Sequence, residues 1–228
     1  MFLSRIQLNP RRREARWLMS SPQRVHAAVL ASFPDAPTGD LDGGPRVLWR
    51  LDEEVSTMLY VVSPEQPDFA GLAEQAGWPT TERGTVKPYD ALLDALDVGQ
   101  RWAFRLTANP SRYVRDPADG KARRRGHVTV GHQEQWLVDR APEHGFMVAS
   151  PDDAVEGARS GPFSVLTKRS THEFTRGTSS RPVTISTAQF DGELEITDAG
   201  LLRKALVSGI GPAKAYGCGL LTLAPITR

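Results

Sequence analysis

Alternation of apolar and polar residues marks the strands of this chain and separates them into two groups. In the first half it predicts strands over residues 2–8, 46–51 and 57–63. In the second half it predicts strands over residues 101–108, 146–150, 163–176, 183–196 and 218–225. The stretch 183–196 contains Asp191 and Gly192, a pair typical of tight turns, and is therefore predicted to be a hairpin.

Apolar residues repeated every four positions predict the first helix. Ser21 is a good N-cap residue, Pro22 suits the first helical position, and the apolar face continues through Val25, Val29 and Phe33. Further helices are predicted over 67–77, 131–145 and 197–209, the last capped by Thr197 and closed by Gly209.

The order of these elements is strand, helix, strand, strand, helix, strand in each half, although the fourth strand of the first half, within 78–89, has a weak pattern. This order predicts an α+β protein with two tandem ferredoxin-like domains and a C-terminal glycine-rich loop. We place the N-terminal domain at residues 1–93 and the C-terminal domain, which contains the glycine-rich loop, at 99–228.

Composition and charge narrow the class of protein. The 228 residues are 39% apolar and 24% charged, as in ordinary folded proteins, and contain no apolar run long enough to span a bilayer. We expect a cytoplasmic protein with no membrane partner, and the single cysteine, Cys218, is expected to be buried. The net charge is only +1, but residues 1–24 carry +5, 101–127 carry +6 and 35–97 carry −9. Such segregation is compatible either with a basic nucleic-acid-binding face or with solvated loops.

The most unusual stretch is SGIGPAKAYGCGLL, residues 208–221. Its bare glycine backbone would let a phosphate approach the N–H groups, yet it matches no known nucleotide-binding motif. From the residues alone, it is either a phosphate or RNA-backbone site or a helix cap followed by a structural turn.

Four features of the chain are informative together: MFLSRIQLNP at the N-terminus, LLDALDVGQRWAFRLTANPSR in the middle, GIGPAKAYGCGLLTLAP near the C-terminus, and a histidine on the first helix. In combination they resemble the CasE family, the CRISPR repeat endoribonucleases of type I-E Cascade within the RAMP superfamily. The resemblance implies two ferredoxin-like domains, metal-independent cleavage of the CRISPR repeat hairpin, and retention of the guide RNA within Cascade.

The resemblance makes His26 the candidate catalytic residue. An imidazole has a pKa near 6.5, so it can take the proton from an RNA 2′-hydroxyl or deliver one to the leaving 5′-oxygen. From the residues alone, His26 could equally be a half-buried packing residue beside the apolar face. Family members carry a tyrosine where this chain has Gln23, and some carry a basic residue where it has Ala27. An arginine, Arg24 or one from another segment, would then have to stabilise the developing charge.

Candidate RNA-binding residues lie in three further places. A flexible arginine cluster at 121–126 and a basic arm at 167–181 suit the phosphates of an RNA stem, although both could be solvated loops. The loop could contact the RNA backbone through its glycines and Lys214, while Tyr216 could stack on a base or pack the loop. The full set is Arg24, Arg123, Arg124, Arg125, Lys168, Arg169, Arg176, Arg181, Gly209, Gly211, Lys214, Gly217 and Gly219.

The other histidines, at 127, 132, 144 and 172, show no spacing typical of a metal site, and we expect neither a metal nor a small-molecule cofactor. The predicted function is a metal-independent endoribonuclease that cleaves precursor CRISPR RNA and associates with other Cascade subunits. The alternatives are a non-cleaving repeat-RNA-binding RAMP subunit and an unrelated enzyme that binds a nucleotide through the glycine loop.

Overall fold

The computed structural model describes residues 1–34, 46–80, 84–117, 119–149, 164–175 and 182–226. Their strands form a four-stranded sheet, a five-stranded sheet and a separate two-stranded hairpin, in all of which neighbouring strands run antiparallel.

The first half forms the four-stranded sheet and three of the helices. Its elements are β1 Phe2–Leu8, α1 Arg13–Met19, α2 Pro22–Leu30, β2 Leu48–Glu53, β3 Thr57–Ser63, α3 Ala70–Ala76 and β4 Thr85–Pro88. The strand order β2-β3-β1-β4 is that of a ferredoxin-like sheet. The strands predicted from alternation and the weakly predicted fourth strand are all present.

The second half begins after a short helix, α4 Asp90–Asp94. Its elements are β5 Arg101–Ala108, β6 Ser111–Arg115, β7 Ala122–Gly126, α5 Val130–Arg140, β8 Phe146–Val148, β9 Ser164–Thr175, β10 Pro182–Ile196, α6 Ala199–Ser208 and β11 Leu221–Ala224. The order β11-β5-β10-β8, with β9 also paired to β10, repeats the ferredoxin-like arrangement. The prediction of two tandem ferredoxin-like domains is confirmed, while the boundaries at residues 93 and 99 stay a prediction.

The four-stranded sheet is buried on both faces. Trp49 and Val61 belong to the core that the sheet forms with α1, α2 and α3. Their neighbours Leu48 and Val62 belong instead to the core of the second half. Because successive residues of a strand point to opposite faces of the sheet, β2 and β3 each contribute side chains to both cores. The two domains are therefore joined by a continuous apolar interface.

The hairpin predicted at Asp191 and Gly192 is wrong, because β10 runs through both residues as one strand. Asp191 lies opposite Arg105 and accepts its Nε–H at 2.5 Å, and Gly192 lies between Phe104 and Ser164 of the neighbouring strands. Pairing on both sides and the ion pair override the local turn signal. The pairing of β10 with β9 shifts its register between Gln189 and Phe190.

Two details of the helices also differ from the sequence-based prediction. The N-cap of α6 is Asp198 and not Thr197, since the Asp198 carboxylate accepts the backbone N–H of Leu201 at 2.9 Å. The helix α1 was not predicted at all, because only Ala15 and Leu18 of its seven residues are buried. Within the described ranges, no helix is long and apolar enough to cross a membrane.

Candidate functional site

His26 lies in the second turn of α2, on the flank of the helix's buried face. That face is anchored by Val25 and Val29, which are almost completely buried, whereas His26 is half-buried. Burial disfavours the charged imidazolium, so the pKa of His26 lies below its usual value. Its Nδ1 is buried and has no hydrogen-bond partner among the described residues. The ring is therefore partly accessible, favours its neutral form, and has an unused polar atom.

The helix that carries His26 packs against the glycine-rich loop of the second half. A short 3-10 turn in this loop, Lys214–Tyr216, contacts both α2 and β2. The N-terminal histidine and the C-terminal loop, far apart in sequence, are thus brought together at one place. This contact allows the two segments to contribute to a single site.

All four predicted loop glycines are required by close packing, since a Cβ atom at Gly211, where φ is 76°, would lie 2.9 Å from Cζ2 of Trp136. Gly209, Gly217 and Gly219 are buried and have positive φ angles of 76°, 80° and 91°. A Cβ atom at Gly217 would lie 2.7 Å from Cζ3 of Trp49, and one at Gly209 would lie 2.8 Å from Cδ2 of Leu48. Gly209 and Gly217 let the loop fit against β2, so they shape the site rather than present an open backbone.

The middle of the loop is the part that reaches the surface. Gly211 and Lys214 are partly exposed. The pKa of Lys214 is lowered by burial and by the nearby charge of Arg46. Tyr216 is also partly exposed, and its ring packs against Phe174 of β9 with 4.8 Å between the centroids.

The predicted flexible cluster at 121–126 is largely β-structure, which corrects the expectation. Residues Ala122–Gly126 form β7 and pair with β6, because the chain folds back through the turn around Gly120. Arg123, Arg124 and Arg125 lie next to each other on this strand, and all three are exposed. The arginines are therefore presented on a defined hairpin.

The arginines of β7 differ in their contacts. Arg123 forms ion pairs with Asp116 at 2.9 Å and Asp119 at 2.6 Å. The guanidinium of Arg124 lies over the ring of Tyr113, 5.0 Å from its centroid, and donates to the Tyr113 hydroxyl at 2.9 Å. Arg123 is thus engaged by two carboxylates, whereas Arg124 carries no carboxylate contact in the described part of the chain.

A groove of about 830 Å³ connects the hairpin to the loop, with Arg124 on one side and Gly211 and Lys214 on the other. Its other basic and histidine side chains are Arg112, His127, His132, Arg140 and His144. Sequence reasoning did not select these five residues for RNA binding. The alternation of the hairpin could have identified Arg112, which lies opposite Arg125.

The cations of β9 make contacts within the protein. The Lys168 ammonium pairs with the Glu53 carboxylate of β2 at 2.8 Å, and Arg169 donates to the Val128 carbonyl. Lys168 thus links the two halves of the chain beside a small cavity that also borders α2 and Tyr216. Arg176 and Arg181 lie outside the described residues.

Arg24 points towards α1 and away from His26. Its Nη1 donates to the Ser20 hydroxyl at 2.6 Å and to the Trp17 carbonyl at 3.0 Å, and its guanidinium lies 4.5 Å from the Trp17 ring centroid. Residues two apart on a helix do not face each other, so Arg24 is not positioned to stabilise charge beside the His26 ring.

Comparisons of this chain with known proteins find CRISPR-associated relatives both by sequence and by structure. The CRISPR associated protein family model matches residues 1–225. The chain is 31% identical over 232 aligned positions to the CRISPR-associated endoribonuclease Cse3 of Thermus thermophilus, covering 99% of this chain and 100% of the relative. It is 32% identical over 156 positions to the CRISPR system Cascade subunit CasE of Escherichia coli, covering 68% of this chain and 74% of that protein.

The chain belongs to the CasE family of CRISPR-associated proteins. The resemblance seen in the sequence is thereby confirmed. A solved structure of the endoribonuclease Cse3 bound to a 19-nucleotide RNA superposes on this chain with a TM-score of 0.76 and 29% identity, covering 99% of this chain and 100% of that one.

This CasE-family chain has Gln23 and Ala27 where relatives carry a tyrosine or a basic residue, so fewer side chains beside His26 can transfer a proton. Gln23 lies one turn before His26 on the same side of α2, but an amide side chain neither takes up nor releases a proton at neutral pH. Its Oε1 is buried without a hydrogen-bond partner in the described part of the chain. Gln23 therefore cannot replace a phenol as an acid.

No group of three or more His, Cys, Asp or Glu side chains in the described ranges is arranged to hold a metal ion. The site described above consists of an imidazole, cations and glycine backbone.

Proposed function

We propose that this CasE-family chain is an endoribonuclease that binds the hairpin of CRISPR repeat RNA and cleaves precursor CRISPR RNA to mature guide RNA. The observation that carries the proposal is that α2, with a half-buried His26 whose pKa is lowered by burial, packs against the glycine-rich loop. That loop borders a groove in which three arginines and Lys214 outnumber Asp139 and Glu143. The names of the relatives support the activity, since one is an endoribonuclease and another a Cascade subunit.

In the proposed mechanism His26 acts as the general base. It takes the proton of the 2′-hydroxyl next to the cleaved bond, the 2′-oxygen bonds to phosphorus, and the bond to the 5′-oxygen breaks. The leaving 5′-oxygen takes up a proton from solvent, and the imidazolium of His26 returns its proton to solvent, so the products are a 2′,3′-cyclic phosphate and a 5′-hydroxyl. The lowered pKa of His26 supports this role, because a base must be neutral before it acts. The nucleophile belongs to the RNA, so the scheme needs no metal ion.

The RNA stem would lie along the groove between the hairpin and the loop. Arg124 and Lys214 would neutralise phosphates there, and the backbone at Gly211 would allow close approach. Gly209 and Gly217 would act indirectly by holding the loop against β2, and Gly219 by letting the loop pack closely on Ile210. Arg125 is exposed on the same hairpin and would add to the positive potential.

The partners are the repeat RNA and the other Cascade subunits, and we place the protein in the cytoplasm. The lone cysteine fits a reducing compartment, since Cys218 is completely buried and has no second cysteine to pair with. Burial raises the pKa of its thiol to about 12, which keeps it protonated and unreactive.

Cleavage of a labelled repeat hairpin in excess EDTA tests the proposal. We expect the wild type to cleave the all-ribose RNA and to leave an RNA with a 2′-deoxy residue at the cleavage site intact. His26→Ala should bind the hairpin with unchanged affinity and not cleave it. His172→Ala is the matched control, because His172 is also half-buried with a pKa lowered mainly by burial, and it should cleave normally.

The rival functions give different results in the same experiment. Tight hairpin binding by the wild type without cleavage would identify a non-cleaving RNA-binding subunit. Absence of RNA binding, together with thermal stabilisation by a nucleotide, would identify an unrelated nucleotide-binding enzyme. Either result would overturn the proposed function.

A further inference from the structure

Trp17 of α1 is exposed although it is a large aromatic residue. Its relative exposure is 54%, while Ala15 and Leu18 on the opposite side of the short helix are buried. Single exposed apolar side chains are common at protein surfaces, but an indole presents a large flat face on which another planar group can stack. Trp17 belongs to neither apolar core.

Arg24 holds the indole in place. Its guanidinium lies over the Trp17 ring, 4.5 Å from the centroid, and is fixed by hydrogen bonds to Ser20 and to the Trp17 carbonyl. The two planar groups are thus ordered before any ligand arrives. Ordering in advance reduces the entropy lost on binding.

The surroundings of this pair favour a polyanion. Arg11, Arg13 and Arg16 of the same segment are exposed, and Glu14 is the acidic residue among them. Planar aromatic and guanidinium groups within a positive field are the features by which proteins hold unpaired nucleotides: the base stacks and the phosphates are neutralised.

A groove of about 670 Å³ leads from the pair along α2, lined by Trp17, Arg24 and Gln23 on one side and by Glu173 and Phe174 of β9 on the other. Gln23 occupies the groove and lies three residues before His26, roughly 4.5 Å along the helix axis. Its Oε1 is buried and has no hydrogen-bond partner among the described residues. The groove therefore connects the stacked pair to the immediate neighbourhood of His26.

We propose that Trp17 and Arg24 form a stacking site for an unpaired nucleotide of the RNA that flanks the repeat hairpin next to the cleaved bond. This inference rests on the proposed function, because it uses His26 to locate the cleaved bond. It assigns Trp17 a role in binding the single-stranded flank, separate from the groove that holds the stem.

The test compares three uncleavable RNAs that carry a 2′-deoxy residue at the cleavage site: the hairpin alone, the hairpin with an unpaired 5′ extension, and the hairpin with an unpaired 3′ extension. Dissociation constants are measured at one salt concentration for the wild type, Trp17→Ala and Trp17→Phe. We expect Trp17→Ala to weaken binding of one extended RNA about tenfold and to leave the hairpin alone unchanged. Trp17→Phe should retain most of the affinity, since it keeps an aromatic ring.

Trp78→Ala is the matched control, because Trp78 is an exposed tryptophan, at 36%, that does not line the groove. It should leave all three dissociation constants unchanged. A 2-aminopurine placed in the extension gives a second readout: its fluorescence should be quenched by the wild type and restored with Trp17→Ala.

Two results would overturn the inference while leaving the proposed function intact. In the first, Trp17→Ala binds all three RNAs like the wild type, which would point to a protein partner on this surface. In the second, Trp17→Ala weakens the binding of all three RNAs equally, which would show a general effect of the substitution on the fold. If the wild type binds none of the RNAs, the proposed function itself fails and the inference falls with it.

Discussion

Replacing Arg50 with methionine would remove a buried guanidinium that joins the two domains. Arg50 is 2% exposed and donates to both oxygens of Asp52, at 2.7 and 3.1 Å. Its Nη1 also donates to the carbonyls of Arg105 and Leu220 in the second half, at 3.0 and 3.1 Å. Leu220 directly follows Gly219, so the Arg50 side chain fixes the end of the glycine-rich loop against β2.

The size of the effect follows from what the replacement leaves behind. Methionine fills a similar volume, but two carbonyls lose a donor and the Asp52 carboxylate keeps only the weaker contact with Arg105, at 3.3 Å. Removing one partner of a buried ion pair costs about 3 to 5 kcal/mol, and the remaining contact places Arg50→Met near 3 kcal/mol. For a chain of this size, that lowers the melting temperature by about 9 °C.

Thermal unfolding followed by circular dichroism measures this loss. Glu143→Gln is the control, because it removes an exposed ion pair, Arg140–Glu143, with an N–O distance of 3.5 Å. Exposed pairs contribute below about 1 kcal/mol, so the control should melt within roughly 3 °C of the wild type. If Arg50→Met melts no lower than the control, the account of Arg50 as the link between the domains is wrong.

Two further predictions concern the loop and the hairpin. Gly217→Ala should lower the free energy of unfolding, measured in urea, by about 2 kcal/mol, because the added Cβ would meet the Trp49 ring at a residue with positive φ. Gly71→Ala is the control and should not be destabilised, because Gly71 lies in helix α3 with open space around it. Arg124→Ala should weaken RNA binding and reduce the slope of log Kd against log salt by about one. Arg123→Ala should have a smaller effect on affinity, since two carboxylates already engage that side chain; equal effects of the two substitutions would contradict the groove assignment.

Local patterns predicted most of the fold, because they reflect which faces are buried. The alternation of Trp102, Phe104 and Leu106 located β5 with its observed bounds. The pattern failed where pairing between distant strands decided the conformation, as at Asp191 and Gly192. It also failed at α1, whose short buried face gives too weak a period to detect.

The candidate site was only partly predictable for the same reason. The period of α2 placed His26 on the flank of a buried face, and the glycines marked the loop. The direction of Arg24 depends on its contact with Trp17, and that of Arg123 on two aspartates in the turn. Such contacts between elements leave no mark on the spacing of the residues that make them.

The pH dependence of single-turnover cleavage tests the central claim most directly, namely that neutral His26 takes the proton of the 2′-hydroxyl. The pKa of His26 is lowered from 6.5 by burial, so its base form dominates above that pH. The rate should therefore rise with pH and level off, with its half-maximal value below pH 6.5. His26→Ala should remove the inflection and slow cleavage at the plateau by at least about 100-fold. A wild-type rate that falls between about pH 6 and 8, or a His26→Ala variant that cleaves nearly as fast as the wild type, would contradict the claim.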